Sequence, residues 1–211
     1  MKTDDLIASL AADALAQRPL RWWFVGAAVL GALLAFLLFM LTLGPRPDIH
    51  QAMHTMRFDF KFVVTIVLAV TAFFVARDMA RPEVTRSAFR PLLWAAPVLM
   101  VLAVALELVA VPQGQWMPRL IGHNMRFCTT MIPLFALAPL ALMLWALRRG
   151  APQNPVRAGA IAGLLAGAIG ATFYAAHCFD DSPLFVATWY TLAIVFISGL
   201  GALLGSRLLR W

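Results

Sequence analysis

Charge is scarce in this chain. Only 13% of its 211 residues are charged while 62% are hydrophobic, and the mean hydropathy is +0.82. A soluble globule is about half apolar, so that class is excluded first. Long polar stretches are also missing. Roughly 20 apolar residues cross a bilayer as a helix, which leaves room for about six spans and none for a large domain outside the lipid. Cysteine is nearly absent: Cys128 and Cys178 are too few for a disulfide scaffold and cannot alone complete a four-ligand zinc site. Catalytic signatures are missing as well. No glycine-rich loop fits a phosphate-binding pattern, and no Ser/His/Asp or zinc-protease motif occurs. The expectation is therefore a protein that is not an enzyme.

What the chain does have is apolar runs. They predict spans near Trp22–Leu43, Asp59–Ala76, Pro91–Val111, Thr129–Leu147, Val156–Ala176 and Leu184–Gly205. The expected fold is thus an all-α membrane protein, a six-helix bundle over residues 22–211 behind a short N-terminal segment, 1–21. Turn formers and charges mark the connections, among them Gly44-Pro45-Arg46-Pro47, Val111-Pro112-Gln113-Gly114 and Asp180-Asp181-Ser182-Pro183. The first run is too long for the core of a signal peptide and lacks a small-residue cleavage site after it, so it is expected to remain as a span.

Cations set the expected orientation. One side carries Lys2, Arg18, Arg21, Arg77, Arg81, Arg86, Arg90, Arg148, Arg149, Arg157, Arg207 and Arg210, twelve of the 17 Lys and Arg; the other carries Arg46, Arg57, Lys61, Arg119 and Arg126, the remaining five. The positive-inside rule then places both termini of this multi-pass chain in the cytoplasm. The net charge of +7 reports topology and membrane lipid, with no direct contact to nucleic acid.

With this topology His50, His54, His123 and His177 all fall on or beside the outer loops, as do both cysteines. Three readings stay open. Cys128 and Cys178 can pair as a disulfide if their Cα atoms come within roughly 7 Å. Alternatively Cys128, Cys178, His177 and His123 form a Cys2His2 set suited to transient binding of a thiophilic ion, with no obligatory cofactor. His50 and His54 at i,i+4 spacing, with Asp180 and Asp181, could add to it. The third reading is that each is an ordinary interfacial residue. Glu107, the one carboxylate well inside an apolar run, is either functional or an interfacial acid paired with Arg119 or Arg126. Gly159, Gly163 and Gly167, then Gly201 and Gly205, recur at four-residue spacing, the pattern of close helix packing in a compact bundle or at a homodimer seam.

Residues 1–17 read as a cytoplasmic amphipathic helix. Thr3 can cap it, and Asp4 and Asp5 suit its first turn. Leu6, Ile7, Leu10 and Ala14 lie on one stripe, away from Asp5 and Asp13. Such a helix either lies on the membrane or fits a partner's groove; a partner with a basic surface would complement Asp4, Asp5 and Asp13.

The opening Met1-Lys2-Thr3-Asp4-Asp5-Leu6-Ile7, the Arg148-Arg149-Gly150-Ala151-Pro152 turn, and His177-Cys178-Phe179-Asp180-Asp181-Ser182-Pro183 followed by Trp189-Tyr190 carry a resemblance. Over its whole length the chain resembles the negative-regulator-of-sigma-F (NrsF) family, six-span bacterial anti-sigma factors. The resemblance implies an extracytoplasmic-function (ECF) sigma factor as partner, held at the bacterial inner membrane and bound by the Asp4–Gln17 segment. It also implies that Cys128 and Cys178 match two cysteines needed for a response to heavy-metal stress. A competing reading, a small metal transporter with Glu107 and the His/Cys set lining a path, meets an apolar midplane and two unlike halves.

Overall fold

A computed structural model describes residues 3, 20–81 and 87–210 of the chain. The expected N-terminal helix, with Asp4, Asp5, Leu6, Ile7, Leu10, Asp13 and Ala14, lies outside the described residues. Six long apolar helices follow one another: α1 (Leu20–Thr42), α2 (Met56–Met79), α3 (Arg90–Ala110), α4 (Met125–Leu147), α5 (Pro155–Ala175) and α6 (Pro183–Leu208). Each is long and apolar enough to cross a membrane. Short helical turns at Ile49–Ala52, Gln113–Gln115 and Trp116–Ile121 fill two of the loops on the face away from Leu20 and Leu208. We call that the distal face, and the other the terminal face.

The observed helices match the apolar runs, with informative differences at their ends. Hydropathy alone begins the second span at Asp59 and ends it at Ala76, whereas α2 continues from Met56 to Met79. The added turns carry Arg57, Arg77 and Asp78, charges that hydropathy rejects but that find partners in the fold. The fourth span starts earlier too, at Met125, so Cys128 stands one turn inside it.

The central helix is α5. It packs against α6, α4 and α2, while α1 leans mainly on α4 and α3 mainly on α2. Of the apolar stretch of each helix, 67% is buried in α5 and only 11% in α3, so α3 is the peripheral member of the bundle. Close approach explains the glycine spacing. A Cβ on Gly205 would stand 2.6 Å from the carbonyl oxygen of Pro155, and one on Gly201 would stand 3.0 Å from the Gly163 Cα. The small faces of α5 and α6 therefore meet each other backbone to backbone, and Ser198 Oγ donates to the Ala160 carbonyl across the seam at 2.9 Å.

Two apolar cores result. The terminal one gathers around Phe24, Met143, Leu147 and Leu165. The distal one gathers around Phe39, Phe135, Phe185 and both cysteines. At the terminal margin the Arg149 guanidinium lies 3.9 Å from the Trp23 ring centroid and 4.4 Å from that of Trp145, an aromatic anchor of the kind found at membrane interfaces.

Candidate functional site

The distal core holds the chain's two thiols. Cys128, on the first turns of α4, and Cys178, three residues past the end of α5, are both fully buried and both free. They share a cluster with Ile132, Phe135, Tyr174, Phe185 and Tyr190. The Tyr174 and Tyr190 rings lie 5.8 Å apart. Their hydroxyls are buried, find no hydrogen-bond partner among the described residues, and interact electrostatically with both sulfurs. A buried hydroxyl left unpaired costs about 1–3 kcal/mol. Two of them beside two thiols make a polar cluster enclosed by apolar side chains. Burial pushes the Cys178 thiol up from its ordinary range, which favours its protonated form.

The loop carrying Cys178 is clasped by polar groups from four other segments. The Cys178 carbonyl accepts hydrogen bonds from Lys61 Nζ at 3.0 Å and Arg46 Nη1 at 3.3 Å. Lys61 is wholly buried on α2, with its ammonium 2.5 Å from Asp181 Oδ1 and 5.0 Å from the Phe58 ring centroid. Arg46 donates to Asp181 Oδ2 at 3.1 Å and grips Asp48 with a two-pronged fork of 2.7 and 2.6 Å. The hydrogen bond to Asp48 raises the Arg46 pKa, and the same bond holds the Asp48 carboxyl below the usual carboxylate range. The sign of that linkage puts the stabilisation at neutral pH and loses it as pH falls through the depressed Asp48 value. Asp180 accepts the backbone N–H groups of His123 at 3.0 Å and Asn124 at 2.8 Å, just before α4.

Glu107, buried near the distal end of α3, completes the clasp. Its Oε2 accepts from Ser182 Oγ at 2.8 Å and from the Leu184 backbone N–H at 3.0 Å; its Oε1 accepts from Arg119 at 3.1 Å. Ser182, the cap residue of α6, makes no capping bond of its own, so a carboxylate from another helix supplies the cap and favours the positive end of the α6 dipole. Of the two arginines expected beside it, Arg119 is the partner; Arg57 joins at 3.8 Å and Arg126 does not. Beyond this cap, Val186–Tyr190 form a π turn, which brings Tyr190 into the thiol cluster.

The structure parts the histidines from the thiols. The His123 side chain is 96% exposed and faces Asp180. His177 Nδ1 lies 3.0 Å from the Gly44 carbonyl oxygen. His50 and His54 are exposed, and the short helix Ile49–Ala52 includes only the first of them. Among the described residues no group of three or more His, Cys, Asp or Glu is arranged to hold a metal ion. The four-ligand arrangement drawn from the sequence is thus absent from this geometry, because the Cys178 sulfur turns into the core while the imidazole of His177 turns to the α1–α2 loop. Sequence reasoning assigned Lys61, Arg46, Tyr174 and Tyr190 no part in the site. Lys61 and Tyr174 carried a signal: a lysine six residues into an apolar helix, and a tyrosine one turn before Cys178.

Six helices around a sealed pair of thiols, with a charged loop clasped over them, define a multispan membrane protein with a buried polar site at its distal face. The family profile described as "Negative regulator of sigma F", NrsF, matches residues 10–211. The chain is similar to "Anti-sigma-F factor NrsF" of Caulobacter vibrioides (strain NA1000 / CB15N), at 36% identity over 218 residues and 100% of both chains. It is also similar to "Probable anti-sigma-F factor NrsF" of Azospira oryzae (strain ATCC BAA-33 / DSM 13638 / PS), at 32% identity over 219 residues with the same coverage. No solved structure matches. This chain belongs to the NrsF family.

Proposed function

We propose that this chain is a membrane anti-sigma factor of the bacterial inner membrane. It holds an ECF sigma factor through its cytoplasmic N-terminal segment and releases it when Cys128 and Cys178 meet a heavy metal or an oxidant. The names of its full-length relatives support the anti-sigma role. One observation carries the second: 50 residues apart in sequence, the two thiols are buried together beside two unpaired tyrosine hydroxyls. A soft cation bound by both sulfurs displaces two protons. The phenolic O–H groups then have thiolates to donate to. Oxidation to a disulfide likewise releases two protons and passes two electrons to the external oxidant.

Either event would act on α4 and α5, whose backbones touch one turn below Cys128: a Cβ on Gly170 would meet the Ile132 carbonyl oxygen at 2.6 Å. Helices this closely packed shift as units, and the ligand moves the equilibrium by its differential affinity for the two packings. The test replaces both cysteines by serine in a strain with a sigma-dependent reporter. Cadmium or chromate should no longer induce it, and induction at the wild-type level would overturn the sensor role. Deleting residues 3–17 should raise the reporter without any metal; unchanged repression would remove the N-terminal segment from the mechanism.

A further inference from the structure

The peripheral position of α3 leaves a groove between it and α2, α5 and α6. At the terminal face the groove begins as a cavity of about 320 Å³, with Arg90, Arg157, Ser87 and Asn154 at its mouth and Val75 and Leu93 among its apolar lining. Leu93 also borders a second cavity of about 410 Å³. That one is lined almost entirely by apolar side chains, among them Leu68, Met100, Leu164, Val186 and Ile194. Its wall includes Tyr190, the same residue that reaches the thiol cluster.

The chemistry of the groove changes along its length in one direction, from two guanidinium groups to hydrocarbon. Among the described residues, Arg46, Arg77 and Arg119 are ion-paired and Arg149 is stacked on tryptophans. No acceptor among those residues takes up the Arg90 or Arg157 guanidinium, and both line the same cavity. The first turn of α5, capped by Asn154 at the same mouth, adds a positive helix end. From Arg90 to Val101, the last α3 residue bordering the second cavity, the rise is about 16 Å at 1.5 Å per residue. That is about half of a 30 Å hydrocarbon core, the depth of one leaflet.

We propose that this groove binds one anionic phospholipid, its phosphate between Arg90 and Arg157 and an acyl chain running past Leu93 toward Tyr190. A basic pocket between helix ends is the kind of site that selects acidic headgroups, and the apolar extension distinguishes a lipid from free phosphate. The inference is independent of any role for the thiols.

The test is native mass spectrometry of the full chain released from detergent after titration with phosphatidylglycerol or phosphatidylethanolamine of the same acyl composition. Phosphatidylglycerol should be retained at least tenfold better than phosphatidylethanolamine. The Arg90→Gln/Arg157→Gln double variant should lose that preference, while Arg148→Gln, outside the groove, should keep it. Ala187→Trp, which fills the apolar part, should weaken retention without touching the arginines. The arginine double variant should keep the wild-type melting temperature in detergent alone, because Arg90 and Arg157 are exposed. Equal retention of the two lipids, an unaffected double variant, displacement by millimolar inorganic phosphate, or retention only in a dimeric species would each overturn the proposal.

Discussion

Lys61 is the residue on which the distal site turns. Its ammonium is buried, and its partners are Asp181 and the Cys178 carbonyl, both on the loop that covers the thiols. Lys61→Met keeps the length of the side chain and removes the charge. Breaking a buried ion pair from one side costs about 3 kcal/mol or more, so the variant should unfold at a clearly lower temperature in detergent, which a thermal scan will read. The same substitution loosens the loop and should make Cys178 accessible. In the wild type that thiol is shielded: alkylation followed by mass spectrometry at pH 7.5 should show at least a hundredfold slower modification in the native protein than in the unfolded one. The sign of the linkage is set by a native value above the unfolded one. Protection of the neutral thiol contributes stability in full below the unfolded thiol range, about pH 8.5, and that contribution is lost as pH rises above it. Melting temperatures measured from pH 7 to pH 10 should therefore fall. The placement of the cysteines at one membrane depth was readable from the spans alone. Their burial was not, because it depends on Lys61 and Arg46 drawing the Asp180-Asp181 loop inward, a contact between segments more than 100 residues apart.

At the level of elements, α5 and α6 show how far pattern reading extends. The glycine spacing named the right faces, and the seam it marks closes inside the chain between these two helices. A large side chain there should be intolerable. Gly163→Leu would drive four carbons into the backbone of α6 at Ile197 and Ser198, with overpacking of this kind costing about 1–3 kcal/mol or more. The expected outcome is loss of a monodisperse species on size-exclusion chromatography in detergent, with Gly199→Leu, where the structure leaves open space, as the tolerated control. Other features of α6 were not legible. Its π turn at Val186–Tyr190 has no local signature, and its cap comes from Glu107 on α3. A capping side chain is sought within a few residues of a helix start; here it lies 77 residues upstream.

For the whole molecule, alternating helices put Arg21, Arg77, Arg81, Arg90, Arg148, Arg149, Arg157, Arg207 and Arg210 at the terminal face, and Arg46, Arg57, Lys61, Arg119 and Arg126 near the distal one. The asymmetry predicts orientation: alkaline phosphatase fused after Gly114 should be active, and fused after Gln153 inactive, while the reverse pattern would place the thiols in the cytoplasm. Length and hydropathy were enough to find the six helices because lipid forces the backbone to satisfy itself within each span. Their mutual arrangement, with α5 central and α3 peripheral, was not, since outside the glycine faces of α5 and α6 the spans are too uniformly apolar for a stripe to say which neighbour each meets. The cap that Glu107 places on α6 also fastens α3, which has few apolar neighbours of its own: the bonds from Ser182 and Leu184 to Glu107 tie the distal end of the peripheral helix to the start of α6.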